Sequence, residues 1–183
     1  MKPGSRSPGL IVAAVAAVIV LAGASTIAFA AANRGFSHRY YAPSGQCSTP
    51  SLPGAVVDLT LTNMGRGMMT GGTMRVFASP VQVPAGTVSF RVANTGSLVH
   101  ELVVLPLPGS QQVGDRAVGA DNRVDETGSL GEASKTCGAG AGDGIDPGAL
   151  SWVTLHLTAG TYELICNLPG HYADGMYTKL TVS

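Results

Sequence analysis

Charge is scarce in this chain. Only 12% of its 183 residues are charged and the formal net charge is zero, so the basic footprint that grips phosphate backbones is missing and no nucleic-acid partner is expected. Histidine is sparse too: there are four, and no two form a His-x-His pair. No unit of about 20–50 residues recurs, which removes solenoids and propellers. Beyond the N-terminus no stretch carries a sustained amphipathic-helix period, which leaves strands as the material of any folded domain. Cysteines number three, an odd count.

What is present begins with an apolar run. Residues 9–32 carry no charge, and Lys2 and Arg6 precede them. Twenty-four residues exceed the length of about 20 that crosses a bilayer as a helix, and the run contains Ala28-Phe29-Ala30, an Ala-x-Ala cleavage pattern. Residues 1–32 therefore read either as a signal peptide or as an N-terminal hydrophobic helix kept as a membrane anchor. The positive flank places the remainder outside the cell membrane in both cases, on its extracytoplasmic face if anchored, secreted or periplasmic if cleaved. Residues 33–54, with Pro43, Gly45, Pro50 and Pro53, read as a linker. Export bears on the cysteines: in an oxidising compartment Cys47 and Cys137 can pair and leave Cys166 as the odd thiol. The alternatives are a free Cys47 or Cys137, or a bond between chains, because connectivity is not written in a sequence.

From residue 55 to 183 the apolar residues alternate. Val57, Leu59 and Leu61 begin the pattern, Val88, Phe90 and Val92 continue it, and Val153, Leu155 and Leu157 resume it. Further strands are expected at Arg75–Ala78, around His100, at Thr161–Ile165 and at Tyr177–Val182. Short strands punctuated by turns predict an all-β sandwich or barrel. Residues 107–149 interrupt the alternation with ten glycines, seven Asp/Glu and three Lys/Arg, and read as one long loop inserted in the domain, with room for a helical turn.

The richest chemistry lies in Cys166-Asn167-Leu168-Pro169-Gly170-His171-Tyr172-Ala173-Asp174-Gly175-Met176. A thiol, an imidazole and a thioether share one short loop between two strands. Two imidazoles and a thiolate with a weak axial thioether form the trigonal set that copper takes in blue-copper sites. The missing imidazole is supplied by His100, so the candidate ligands are His100, Cys166, His171 and Met176. Read singly, Cys166 is an inert buried thiol, His100 a satisfied strand histidine and Met176 a gap-filler. Spacing of Cys-x4-His-x4-Met in one β domain favours ligation. His38 falls in the linker, and His156 alternates onto a solvated face; neither reads as a ligand.

This loop resembles the ligand loop of the single-domain cupredoxins of the azurin, auracyanin and rusticyanin kind, and Val99-His100-Glu101 is similar to their first-histidine strand. The resemblance spans about the last two-thirds of the chain. It implies a Greek-key β-sandwich, one type 1 copper ion and outer-sphere electron transfer. Three features depart from the family pattern: Glu101 where many relatives carry Asn or Ser, the insertion at 107–149, and the methionines Met64, Met68, Met69 and Met74.

The function expected is an exported carrier of single electrons, not an enzyme. Redox protein partners are expected to dock near His171, whose outer edge faces solvent inside a collar of Leu168, Pro169, Gly170 and Tyr172; the protein itself is expected to be a monomer. An alternative is a protein for copper storage, delivery or resistance that uses the methionine loop as a second Cu(I) site; packing or docking is the other use for those side chains. A copper enzyme needs further histidines that the sequence does not supply.

Overall fold

The computed structural model describes residues 47–63 and 74–183. The apolar run at 9–32, His38, most of the linker, and Met64, Met68 and Met69 lie outside the described residues. Among those described, no helix is long and apolar enough to cross a membrane.

Ten strands follow in order: β1 (Ala55–Asn63), β2 (Met74–Ser79), β3 (Gln82–Val83), β4 (Gly86–Asn94), β5 (Leu102–Pro106), β6 (Gly131–Ala133), β7 (Gly138–Ala139), β8 (Leu150–Leu157), β9 (Gly160–Ile165) and β10 (Tyr177–Val182). They form two five-stranded sheets, ordered β2-β1-β4-β8-β7 and β3-β10-β9-β5-β6. The protein is thus an all-β Greek-key sandwich. Strand alternation builds it directly. Val57, Leu59 and Leu61 of β1 and Val88, Phe90 and Val92 of β4 are buried, while Asp58 between them is exposed. They meet Leu102, Val104, Leu164, Leu180 and Val182 of the second sheet in the main core. Burial of each such side chain contributes roughly 1.5–3 kcal/mol against the entropy of ordering the chain.

The second sheet is covered on its outer side as well. Leu102 to Leu105 are all buried, and Val103 and Leu105 join Val124, Ile165 and Tyr172 in a smaller apolar cluster. Val124 belongs to the 107–149 insertion, so that segment lies over β5 and β9. Strands buried on both faces lose their alternation, which is why Leu102-Val103-Val104-Leu105 reads as a plain apolar run. The insertion holds no helix; it contributes β6 and β7, and isolated bridges pair Val118 with Val124 and Lys135 with Gly144. Cys137 within it is bonded to Cys47.

His100 differs slightly from expectation. It sits two residues before β5 and pairs only with Ile145, donating its N–H to the Ile145 carbonyl (3.2 Å) and accepting from the Ile145 N–H (2.7 Å). The β5–β9 ladder starts at Val103 opposite Ile165. One residue beyond Ile165 the chain leaves β9 as Cys166, and His100 and Cys166 come to the same end of the sheet.

Candidate metal centre

Cys166 is fixed by its place in the sheet. Its N–H donates to the Met176 carbonyl at 3.0 Å, closing the mouth of the loop where β9 gives way to β10. Inside the loop, His171 N–H donates to the Leu168 carbonyl (3.0 Å), Gly175 N–H to the Tyr172 carbonyl (2.9 Å) and Met176 N–H to the His171 carbonyl (3.1 Å). Gly170 and Gly175 adopt φ of 86° and 90°, in the left-handed region where glycine alone is unstrained. These turns fold His171 back over Cys166.

Three donors converge as a result. Cys166 Sγ lies 3.3 Å from His171 Nδ1, and His171 Nδ1 lies 3.2 Å from His100 Nδ1. Among the described residues this is the one group of three such side chains whose ligand atoms all fall within 4.8 Å of one another. Donors about 2.0–2.3 Å from a shared ion, as imidazole and thiolate bind first-row metals, stand roughly 3.5 Å apart. The cluster has that size. Its chemistry, two borderline nitrogens and one soft sulfur, fits copper.

Two of the three donors, His100 and Cys166, are held by a partner outside the cluster. Asn63, the last residue of β1, accepts through Oδ1 from the N–H of Ser97 (2.9 Å) and of Leu98 (3.2 Å). Those two donors identify the atom as oxygen, and His100 Nε2 lies 3.1 Å from it. Nε2 must therefore carry the proton, which leaves the Nδ1 lone pair free toward the cluster. Cys166 Sγ accepts from the Glu101 N–H at 3.4 Å. Asn167, next in the loop, donates its N–H to Glu101 Oε1 at 3.2 Å.

Burial sets the protonation states. The His100 imidazole is fully buried, and this pushes its pKa down to about 4, with His171 nearby adding to the effect. Burial also lowers the pKa of His171, opposed by Asp174. Burial raises Cys166 to about 12, so the metal-free site holds a thiol and two neutral imidazoles at pH 7. Glu101 is pushed up to about 7, first by burial and then by Glu126 and Glu132.

Met176 closes the same loop and its side chain is fully buried in the main core. His156 is exposed on β8, apart from the cluster. Met74 is half-buried against the main core. Tyr172 departs from expectation: it is 2% exposed, and its hydroxyl donates to the buried Glu163 carboxylate at 2.9 Å. It belongs to the packing beneath the insertion and forms no part of an exposed collar. Sequence reasoning missed Asn63 and Asn167, since neither residue type distinguishes a strand end or turn from a metal site. It also missed Gly96, where an added Cβ would lie 2.2 Å from Asn63 Oδ1 and 2.9 Å from His100 Nε2.

A Greek-key sandwich that gathers thiol and imidazoles at one end, two of them from the loop before its last strand, is the design of a single-domain cupredoxin, the class of small blue-copper electron carriers. The model of the sulfocyanin (SoxE) domain matches residues 63–183, and the chain belongs to that family. Reduced auracyanin from Roseiflexus castenholzii is similar at 20% identity, covering 73% of this chain and 99% of its own, with a TM-score of 0.44. Rusticyanin from Thiobacillus ferrooxidans is similar at 23% identity, covering 77% and 89%, with a TM-score of 0.45. Comparison with curated protein sequences returns no match. The cofactor is one copper ion, and the His100, Cys166 and His171 cluster is consistent with a type 1 centre.

Proposed function

We propose that this protein is an exported carrier of single electrons in which Cys166, His100, His171 and Met176 would hold the copper ion. The observation that carries the reading is the convergence of Cys166 Sγ, His171 Nδ1 and His100 Nδ1 at 3.2–3.3 Å. Bound copper supplies a one-electron couple at this site. The chain supplies the rest. Cys166 releases its thiol proton when it ligates, so metal uptake is coupled to proton loss. Glu101 N–H directs a dipole at the resulting sulfur anion, and Asn63 keeps His100 in the ligating tautomer.

Electrons pass through His171, the less buried of the two imidazoles, to a redox protein docked at that end. Exposed Pro169, Ala173 and Asp174 surround it in the loop. A small, partly apolar contact suits a carrier that must release its partner quickly. The Cys47–Cys137 disulfide supports an oxidising, extracytoplasmic location, reached through residues 1–32 as leader or anchor. Of the four methionines weighed for a second Cu(I) site, only Met74 is described, and it packs on the core; storage gains no support from it.

The visible spectrum of the copper-loaded protein, with metal stoichiometry, tests the proposal. One copper per chain and an intense thiolate-to-copper band are expected, and Cys166→Ser should lose the band while staying folded. A Cys166→Ser protein that remains blue refutes the assignment.

A further inference from the structure

The 107–149 insertion is the part of the chain that electron carriage leaves unused, and it meets the ligand loop in two places. On one flank Arg116 Nε pairs with Glu163 Oε2 at 2.5 Å. Gly114 N–H and Tyr172 Oη both donate to Glu163 Oε1, at 2.8 and 2.9 Å, and Arg116 N–H donates to Tyr172 Oη at 3.1 Å. Glu163 is fully buried in β9, three residues before Cys166, and Tyr172 directly follows His171.

On the other flank the grip is closer to the donors. Asn167 is 1% exposed. Its Oδ1 accepts from Val124 N–H (2.8 Å), while its Nδ2 donates to the Val124 carbonyl (2.9 Å) and to Glu126 Oε1 (2.6 Å). Gly170 N–H donates to the Asn122 carbonyl at 2.9 Å. The bridge between Val118 and Val124 closes this part of the insertion into a small hairpin, tightened by Gly119 N–H to the Arg123 carbonyl at 2.7 Å. Asn167 follows Cys166, and Gly170 precedes His171, so the insertion holds the loop one residue from each donor. A buried carboxamide with three bonds cannot turn without stranding polar groups.

We infer that residues 114–126 form a brace on the Cys166–His171 loop, with Asn167 as the positioning residue that transmits it. The consequence for copper rests on Cys166 and His171 being ligands; the brace itself is a property of the chain. A loop held at both donors resists displacement when the charge at the site changes, which is what a carrier needs of its scaffold.

The test compares the full-length protein with Asn167→Ala and Glu126→Ala by amide hydrogen exchange of the metal-free form and by copper titration. In Asn167→Ala, exchange at Val124 and Gly170 should quicken about tenfold or more, with amides of β1 and β4 unchanged. Copper affinity should fall about ten- to hundredfold and the visible band should move. Glu126 is half-exposed, so Glu126→Ala keeps the fold and should quicken the same amides about two- to fivefold. Wild-type exchange at Val124 and Gly170 in both variants overturns the brace; if Asn167→Ala fails to fold, Glu126→Ala decides alone. Should the wild-type protein bind no copper, the ligand reading fails and the exchange arm still judges the brace.

Discussion

Replacing Asn63 by alanine probes the tautomer argument directly. The substitution removes the acceptor facing His100 Nε2 and, with it, the partners of Ser97 N–H and Leu98 N–H. The backbone donors stand at a partly exposed turn where water can replace the amide oxygen, so the stability cost is small, about 1–2 kcal/mol. His100 is different. It is fully buried, and without Asn63 nothing selects the tautomer that leaves Nδ1 free. Loss of a group that orients a ligating imidazole costs about ten- to hundredfold in metal affinity. Competition titration against a chelator reads the affinity, and thermal unfolding of the metal-free form reads the fold. Asn63→Asp retains an acceptor in place and should stay within about threefold of wild type. Equal copper affinity in wild type and Asn63→Ala, with both folded, would refute the role given to Asn63.

The donor loop was legible because its chemistry is local: thiol, imidazole and thioether fall within eleven consecutive residues. The core strands of the first sheet were legible for a similar reason, since Val57, Leu59 and Leu61 each carry their burial in a period of two. Legibility ended where partners are distant. Asn63 stands 37 residues from His100, and an asparagine at a strand end looks the same whether it meets water or a metal ligand. Asn167 reads in sequence as one more loop residue, because the Val124 and Glu126 that hold it lie 43 and 41 residues away. The insertion hid its two strands among ten glycines, whose missing side chains leave no alternation to read. Tyr172 misled for the opposite reason. Its position beside His171 suggested a surface ring, whereas Glu163 and the cluster around Val124 draw it inward.

Four further outcomes follow from the same contacts. Arg116→Ala leaves the fully buried Glu163 carboxylate without its counter-ion and should lower stability by about 3–5 kcal/mol in denaturant unfolding; a loss below about 1 kcal/mol would show that Glu163 does not depend on that charge. Cys137→Ser opens a link spanning 90 residues and should cost about 4.6 kcal/mol on chain-entropy grounds, with the copper spectrum unchanged; a thiol reagent should find no free Cys47 in the unreduced wild type. Gly96→Ala forces Asn63 away from His100 and should reproduce the affinity loss of Asn63→Ala; wild-type affinity in that variant would mean that the close approach relaxes freely. The route of the electron can be tested by charge. Ala173 is exposed two residues from half-buried His171, whereas exposed Thr87 lies at the far end of β4. That strand separates the two ends by about 25 Å, well beyond the screening length of about 8–10 Å in ordinary buffer. If electrons leave through His171, Ala173→Glu should slow oxidation by an anionic reagent such as ferricyanide about two- to fivefold at low salt, and added salt should erase the difference. Thr87→Glu should leave the rate unchanged, and neither variant should alter the visible band. Equal slowing by both substitutions would mean that net charge governs the encounter, and slowing by Thr87→Glu alone would put the exit at the opposite end of the sandwich.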